Sequence, residues 1–262
     1  MQKPLSPAQG ADFRPGRSAA GIILAAGYSR RMGGRVKALA RLGGQTLLER
    51  AAAALRQGGV ASVLAVAGHD RERVRREAAR LGIRAVVNPD IDRGMFSSLQ
   101  IGLAALVPEA PDSVLILPVD AALVLARSVA ALLALREKTR AEAGSPLLVP
   151  TFLGLPGHPV LAPANHLEAI LRWSGENGLR GYLDSLPSAP PGTPPPLVLC
   201  PLPDAGIGSD LDTPAQLAAA EAFLRATDNR RRPSPEEARQ DLALGARPAT
   251  ETTAPCQNPS ST

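Results

Sequence analysis

Aromatic side chains are scarce in this 262-residue chain, which has one Trp, two Tyr and four Phe. Platforms of stacked aromatics, the usual means of holding single-stranded nucleic acid, are therefore excluded, and any core must be aliphatic. Cysteine is almost missing. Cys200 and Cys256 lie far apart, which gives neither a disulfide framework nor a zinc site and reads as free thiols in a reducing cytoplasm. No apolar run approaches the roughly 18–20 residues that span a bilayer. The richest stretch, Ala121 to Leu135, is broken by Arg127 and Ser128, and the N-terminus carries no signal-peptide core. The net charge of +5 is also less than it suggests, because residues 1–20 hold +2 of it and residues 229–262 hold +1. The remaining +2 makes the central body no magnet for nucleic acid. These absences predict a cytoplasmic protein with neither a membrane nor a nucleic-acid partner.

What is present is an aliphatic chain, 45% hydrophobic and 20% charged. Three segments are expected: a disordered leader over 1–19, one domain over 20–228, and a disordered Pro/Thr/Ser-rich tail over 229–262 with one helical turn near 235–244. Within the domain, strand and helix signals alternate. Strands are predicted at 20–25, 62–67, 84–87, 113–119, 147–150 and 159–162. Helices are predicted from the Thr46-Leu-Leu-Glu49 capping box to Gly58, at 70–81 and 95–106, after Asp120 to about Glu142, as two shorter pieces, and at 213–226. The Pro187–Pro203 stretch reads as a surface loop. Repeated strand–helix units predict an α/β, Rossmann-like, mostly parallel sheet with helices on both faces. Ligands of such sheets bind beyond the carboxyl ends of the strands.

The unusual residues fall in those loops. Leu24-Ala25-Ala26-Gly27-Tyr28-Ser29-Arg30-Arg31-Met32-Gly33-Gly34 leaves the first strand and reaches Lys37. Small residues let backbone amides approach phosphate oxygens, and Arg31 and Lys37 add fixed positive charge. The spacing fits neither a P-loop nor the dinucleotide fingerprint G-x-G-x-x-G. A nicotinamide-dependent oxidoreductase, which the layout alone permits, therefore lacks its expected glycines. There is also no G-x-S-x-G elbow and no Cys/His pair to serve a protein nucleophile.

The sequence Leu-Ala-Ala-Gly-x-Ser-x-Arg-Met-Gly followed by Lys resembles the signature of the MobA-like nucleotidyltransferases. The resemblance extends over residues 20–226 and implies a nucleotide-diphosphosugar transferase fold and Mg²⁺-dependent transfer of a nucleotidyl group with release of pyrophosphate. It implies that Leu24, Ala25, Ala26, Gly27, Ser29, Arg31 and Lys37 hold the nucleotide, with Arg31, Lys37 and Asp120 catalytic. Val87-Asn88-Pro89 and Gly94-Met95-Phe96-Ser97-Ser98 resemble the segment that contacts base and ribose, which adds Asn88, Gly94, Ser97 and Ser98. Leu117-Pro118-Val119-Asp120 resembles the strand end whose aspartate holds the metal. Ser209-Asp210-Leu211-Asp212-Thr213-Pro214 resembles a terminal motif that brings a second carboxylate, Asp212 with Asp210 in reserve.

Gly157-His158-Pro159 and the loop ending in Arg180 resemble acceptor-side segments, although His158 equally suits a turn-shaping role. The Leu-Ala-Ala-Gly form resembles the cytidylyltransferase branch, which implies CTP and molybdopterin. GTP, or a small phosphorylated acceptor, stays open. A non-catalytic protein that delivers cofactor to a molybdenum enzyme also stays open, supported by Ala121-Ala122 where relatives carry proline after the metal aspartate. Lys37 also lies one position further from Met32 than in close cytidylyltransferases. The Arg71–Arg84 cluster, interleaved with Glu72 and Glu77, reads as a solvated helix face, and His69 and His166 as surface residues.

Overall fold

The computed structural model describes residues 18–139, 145–190 and 193–231. The expectations for the leader before Ser18, the turn near 235–244, the end of the helix after Thr139 and Cys256 lie outside them. The described residues divide into two units, one up to Ala220 and one from Glu221. In the second, the description covers the end of one helix, where Arg225 pairs with Glu221.

In the first unit the strands are β1 (Ala19–Ala25), β2 (Arg41–Leu42), β3 (Gln45–Thr46), β4 (Ser62–Ala67), β5 (Arg84–Val87), β6 (Ser113–Pro118), β7 (Leu147–Phe152), β8 (Leu155–Pro156), β9 (Val160–Pro163) and β10 (Leu197–Pro201). The helices are α1 (Leu47–Gln57), α2 (Arg71–Arg80), α3 (Met95–Leu106), α4 (Ala126–Thr139), α5 (Ala164–Arg172), α6 (Gly178–Asp184) and α7 (Pro214–Arg231), the last running on into the second unit. Strands β10-β7-β9-β6-β1-β4-β5 form one sheet in that order, with β8 added to β7 and with β2 and β3 as a separate hairpin. The β1–β4, β4–β5, β1–β6 and β7–β10 pairs are parallel. Only β9, between β6 and β7, and the short β8 run against them.

Local chemistry accounts for the elements. Thr46 caps α1, its Oγ1 accepting from the Glu49 amide at 3.0 Å, and Glu49 and Arg56 complement the helix dipole at its two ends. β1 and β6 are buried on both faces, as the central strands of a parallel sheet must be. Ile22 and Leu24 of β1 pack under Leu99 and Leu103 of α3, alongside Ile116, Val149 and Val160 from neighbouring strands. After β5 the chain crosses back to place β6 on the other side of β1. Strand order therefore reverses at β1, and the crevice opens at its carboxyl end. Among the described residues no helix is long and apolar enough to cross a membrane.

Two expectations are corrected, and one hairpin had not been anticipated. The proline-rich stretch is not all loop: Leu197–Pro201 forms edge strand β10 and buries the free thiol of Cys200. Its prolines stay compatible with pairing because the strand has a neighbour on one side only. The β2–β3 hairpin was too short to show a period-2 pattern. His166 is not at the surface. It lies one helical turn before Ile170 on the buried face of α5, with Nδ1 3.0 Å from the Tyr182 hydroxyl. The arginine cluster does behave as a solvated face, with exposed ion pairs from Arg80 to Glu49 and Glu77 and from Arg84 to Glu109.

Burial holds the His166 imidazole below its usual range, against a backbone hydrogen bond at Ser145. The unfolded chain then binds more protons than the folded one as pH falls through about 6.5. Stability is full above that value and declines below it. In urea titrations from pH 7.5 to 5.5 the midpoint falls for the wild type, and His166→Gln makes that fall smaller.

Candidate active site

The register of the sheet assembles the site. Leu24 of β1 sits beside Pro118 of β6, and the Val119 amide donates to the Leu24 carbonyl at 3.1 Å. Asp120 therefore emerges next to the glycine-rich loop. That loop is fixed at its base by Gly68, where any Cβ would lie 2.3 Å from the Ala26 carbonyl oxygen, and by the His69 amide, which donates to the same oxygen at 3.1 Å. Further along, Met32 is buried as an anchor, and the Lys37 amide donates to Ser29 Oγ at 2.9 Å. Ser29, Gly33 and Gly34 all take positive φ, which curls the loop back on itself.

This curl aims Lys37 across the crevice. Its Nζ donates to Asp120 Oδ2 at 2.8 Å and also to Asp212 Oδ1, while Arg31 pairs with Asp212 Oδ2 at 2.7 Å. Burial lowers the Lys37 ammonium, but the hydrogen bonds to Asp120 and Asp212 outweigh it and hold the group above the usual lysine range. The Lys37 hydrogen bond in turn holds Asp212 below the usual carboxylate range. Asp212 is positioned by its own helix start: Thr213 Oγ1 accepts from the Gln216 amide, and Gln216 Oε1 accepts from the Asp212 amide at 3.0 Å. Asp210 stays outside these contacts, and desolvation and the Asp120 charge push its carboxyl up.

Two adjoining cavities share Leu24, Gly94, Met95 and Pro118. The smaller, about 180 Å³, is lined by Leu24 to Ser29, Lys37, Gly94, Ser98 and Asp120. The larger, about 950 Å³, carries Gly157, His158 and Arg180 on a mostly apolar wall. Asn88 and Ser97 line neither. Asn88 Nδ2 donates to both serine hydroxyls at 2.9 Å, and Ser97 Oγ donates to the Gly94 carbonyl at 2.7 Å, so this pair braces Ser98. Arg31 is outside both cavities and largely exposed. Burial lowers the His158 imidazole, against the Asp210 and Asp120 charges.

With this geometry established, comparison with known proteins fixes the class. The sequence model of the MobA-like NTP transferase domain matches residues 21–189. The chain belongs to that family. That family is one of nucleotidyltransferase enzymes. It is 32% identical over 200 residues to the nicotine blue oxidoreductase of Paenarthrobacter nicotinovorans, spanning 75% of this chain and 93% of that one. It is 43% identical over 90 residues to the bifunctional IPC transferase and DIPP synthase of Rubrobacter xylanophilus, but that match spans only 32% of this chain and 21% of that protein. Among solved structures, Rv0371c from Mycobacterium tuberculosis superposes with a TM-score of 0.62 at 22% identity, over 78% of this chain and 97% of that one. The same protein has been solved with manganese.

The turn after Asp120, where the family resemblance implied a proline, carries Ala121-Ala122 instead, and other groups pin it. Buried Asp204 accepts from the Leu125 amide at 2.9 Å, from Ser128 Oγ at 2.7 Å and from the Gly206 amide at 2.9 Å, while Arg50 Nε donates to the Ala122 carbonyl at 3.2 Å. Sequence reading missed Asp204, since nothing local shows that its carboxylate also holds Leu125 and Ser128, 79 and 76 residues away. It also missed Tyr28 and Asp92, whose side chains meet at 2.6 Å beside the smaller cavity. The two halves of the site are joined at the Asp120 carbonyl, which accepts from the Leu211 amide at 3.1 Å, and at the Ile207 carbonyl, which accepts from the His158 amide at 3.0 Å.

Gly157 packs so closely there that a Cβ would lie 1.9 Å from the Ile207 oxygen. Gly157→Ala is expected to cost about 1–3 kcal/mol, the scale of overpacking, in urea denaturation.

Proposed function

We propose that this chain transfers CMP from CTP to a phosphorylated acceptor, with molybdopterin the best-fitting class, and releases pyrophosphate. The reading is carried by one observation: Lys37 held between Asp120 and Asp212 at the mouth of a cavity walled by the glycine-rich loop. A phosphate oxygen of the acceptor attacks the α-phosphorus, and the bond from that phosphorus to the bridging oxygen of the leaving pyrophosphate breaks. No protein nucleophile takes part, so the residues act by positioning and by charge. Amides from Ala25 to Gly27 and the charges of Lys37 and Arg31 hold the triphosphate and stabilise the pyrophosphate as it departs.

Two carboxylates converging on one cationic nitrogen are an oxygen donor set suited to Mg²⁺, which is commonly held by one or two carboxylates plus substrate phosphates. Among the described residues no group of three or more His, Cys, Asp or Glu is arranged to hold a metal. Asp120 and Asp212 would hold the ion, with Asp210 nearby. Bound there, it would supply positive charge beside the transferred phosphate. The larger cavity, with Gly157, His158 and Arg180, suits the acceptor. Its apolar wall favours a flat ring system over a polyol, whose hydroxyls would go unpartnered there.

Asp120→Asn is expected to keep its circular dichroism spectrum and to lose pyrophosphate release by about 10²-fold or more, the scale of removing one electrostatic group from an active site. Release at the wild-type rate would refute the assignment. GTP in place of CTP is tested in the same assay, and a delivery protein would bind nucleotide but release no pyrophosphate. A second reading, nicotinamide-dependent redox chemistry, draws support from the relative named nicotine blue oxidoreductase. Oxidation of a reduced nicotinamide nucleotide without pyrophosphate release would establish it instead.

A further inference from the structure

Tyr28 is the one aromatic residue of the Leu24–Ser29 run, and its surroundings are unusually specific for a loop residue. Its hydroxyl donates to Asp92 Oδ1 at 2.6 Å, across 64 residues of sequence. The Arg30 guanidinium carbon lies 4.6 Å from the ring centroid, and the His69 ring lies 5.0 Å away, tilted by 50°. Asp92 belongs to the single turn Ile91–Arg93, so the tyrosine ties the glycine-rich loop to the segment that begins α3. Both segments line the smaller cavity, as does Tyr28 itself.

The cavity has two chemically different ends. Lys37 and Asp120 mark a charged end, and Ile91, Met95 and Tyr28 mark an apolar one. At about 180 Å³ it is smaller than the roughly 300–1,000 Å³ that takes a whole small ligand, so it seats part of one. The charged end suits phosphate, which leaves the apolar end for a nucleobase. The floor is closely packed, with Ala26 set against Gly68 and its carbonyl accepting from the His69 amide. The Tyr28 side is braced through the ring and through the hydroxyl. Stiff walls discriminate by clash as well as by contact.

We propose that Tyr28, clasped to Asp92, is the residue that sets the width of the nucleobase seat and makes it a one-ring seat: it admits a pyrimidine and obstructs a purine. The proposal rests on reading this cavity as the nucleotide site and adds the side chain that imposes base choice. Opening the clasp should therefore improve purine binding, an outcome that mere structural damage would not produce.

The test is isothermal titration of the full chain with CTP and, separately, with GTP, in magnesium buffer and without acceptor. The wild type is expected to bind CTP at least about tenfold more tightly, the low end of what pocket size can discriminate. Tyr28→Ala should bind GTP more tightly than the wild type does and bring the two affinities within about threefold, below the low end of that range. Tyr28→Phe, which keeps the ring and loses the bond to Asp92, should fall between them. Asp92→Asn provides a second approach should Tyr28→Ala not fold. Equal wild-type affinities, or variants that lose both nucleotides in proportion, would overturn the proposal. CTP binding with the expected change in selectivity but no pyrophosphate release would sustain the clasp while refuting nucleotidyl transfer. Failure of both nucleotides to bind the wild type would overturn both.

Discussion

An ammonium group shared by two carboxylates is the contact on which the site depends. Lys37 reaches Asp120 across 83 residues and Asp212 across 175, so one nitrogen gathers the loop after β1, the turn after β6 and the start of α7. Each partner is held from behind. Lys37 is set by Ser29, the turn after Asp120 by Asp204 and Arg50, and Asp212 by Gln216. Burial alone would disfavour the lysine charge, and the two carboxylates reverse that. Partial burial also keeps the contact from being screened as an exposed ion pair would be.

Much of this was legible in the sequence because the signals were local. β4, β5 and α3 fall on the residues that periodicity marked, and the capping box of α1 forms as read on the Thr46 side. The second half of that box does not form, because the Glu49 carboxylate accepts from Arg80 instead. The antiparallel run of β9 was not legible, since a buried strand reads the same in either direction. β10 was hidden for a different reason. Prolines usually signal a loop, and only the absence of a neighbour on one side lets this edge tolerate them.

Within the site, residue types were easier to read than residue duties. The loop and Asp120 stood out because small and charged residues at strand ends are chemically unusual, whereas Asp210 and Asp212 were marked only by the family resemblance. Which aspartate meets Lys37 follows instead from the cap of α7, a tertiary detail. Asn88 and Ser97 carried the same polar signal as Ser98, yet they are turned inward to each other, and only Ser98 reaches the cavity. Tyr28 gave no signal in sequence because its partners Asp92 and His69 come from two other loops.

The reversal of β9 has a consequence of its own. Ile116 near the end of β6 pairs with Val160 at the beginning of β9, so the segment entering β9, not the one leaving it, arrives at the crevice. The two cavities are therefore bordered by segments of opposite polarity, one departing from the sheet and one approaching it. Insertions before β9 can reshape the larger cavity without lengthening the glycine-rich loop. A scaffold wired in this way can alter one cavity while the other stays in place.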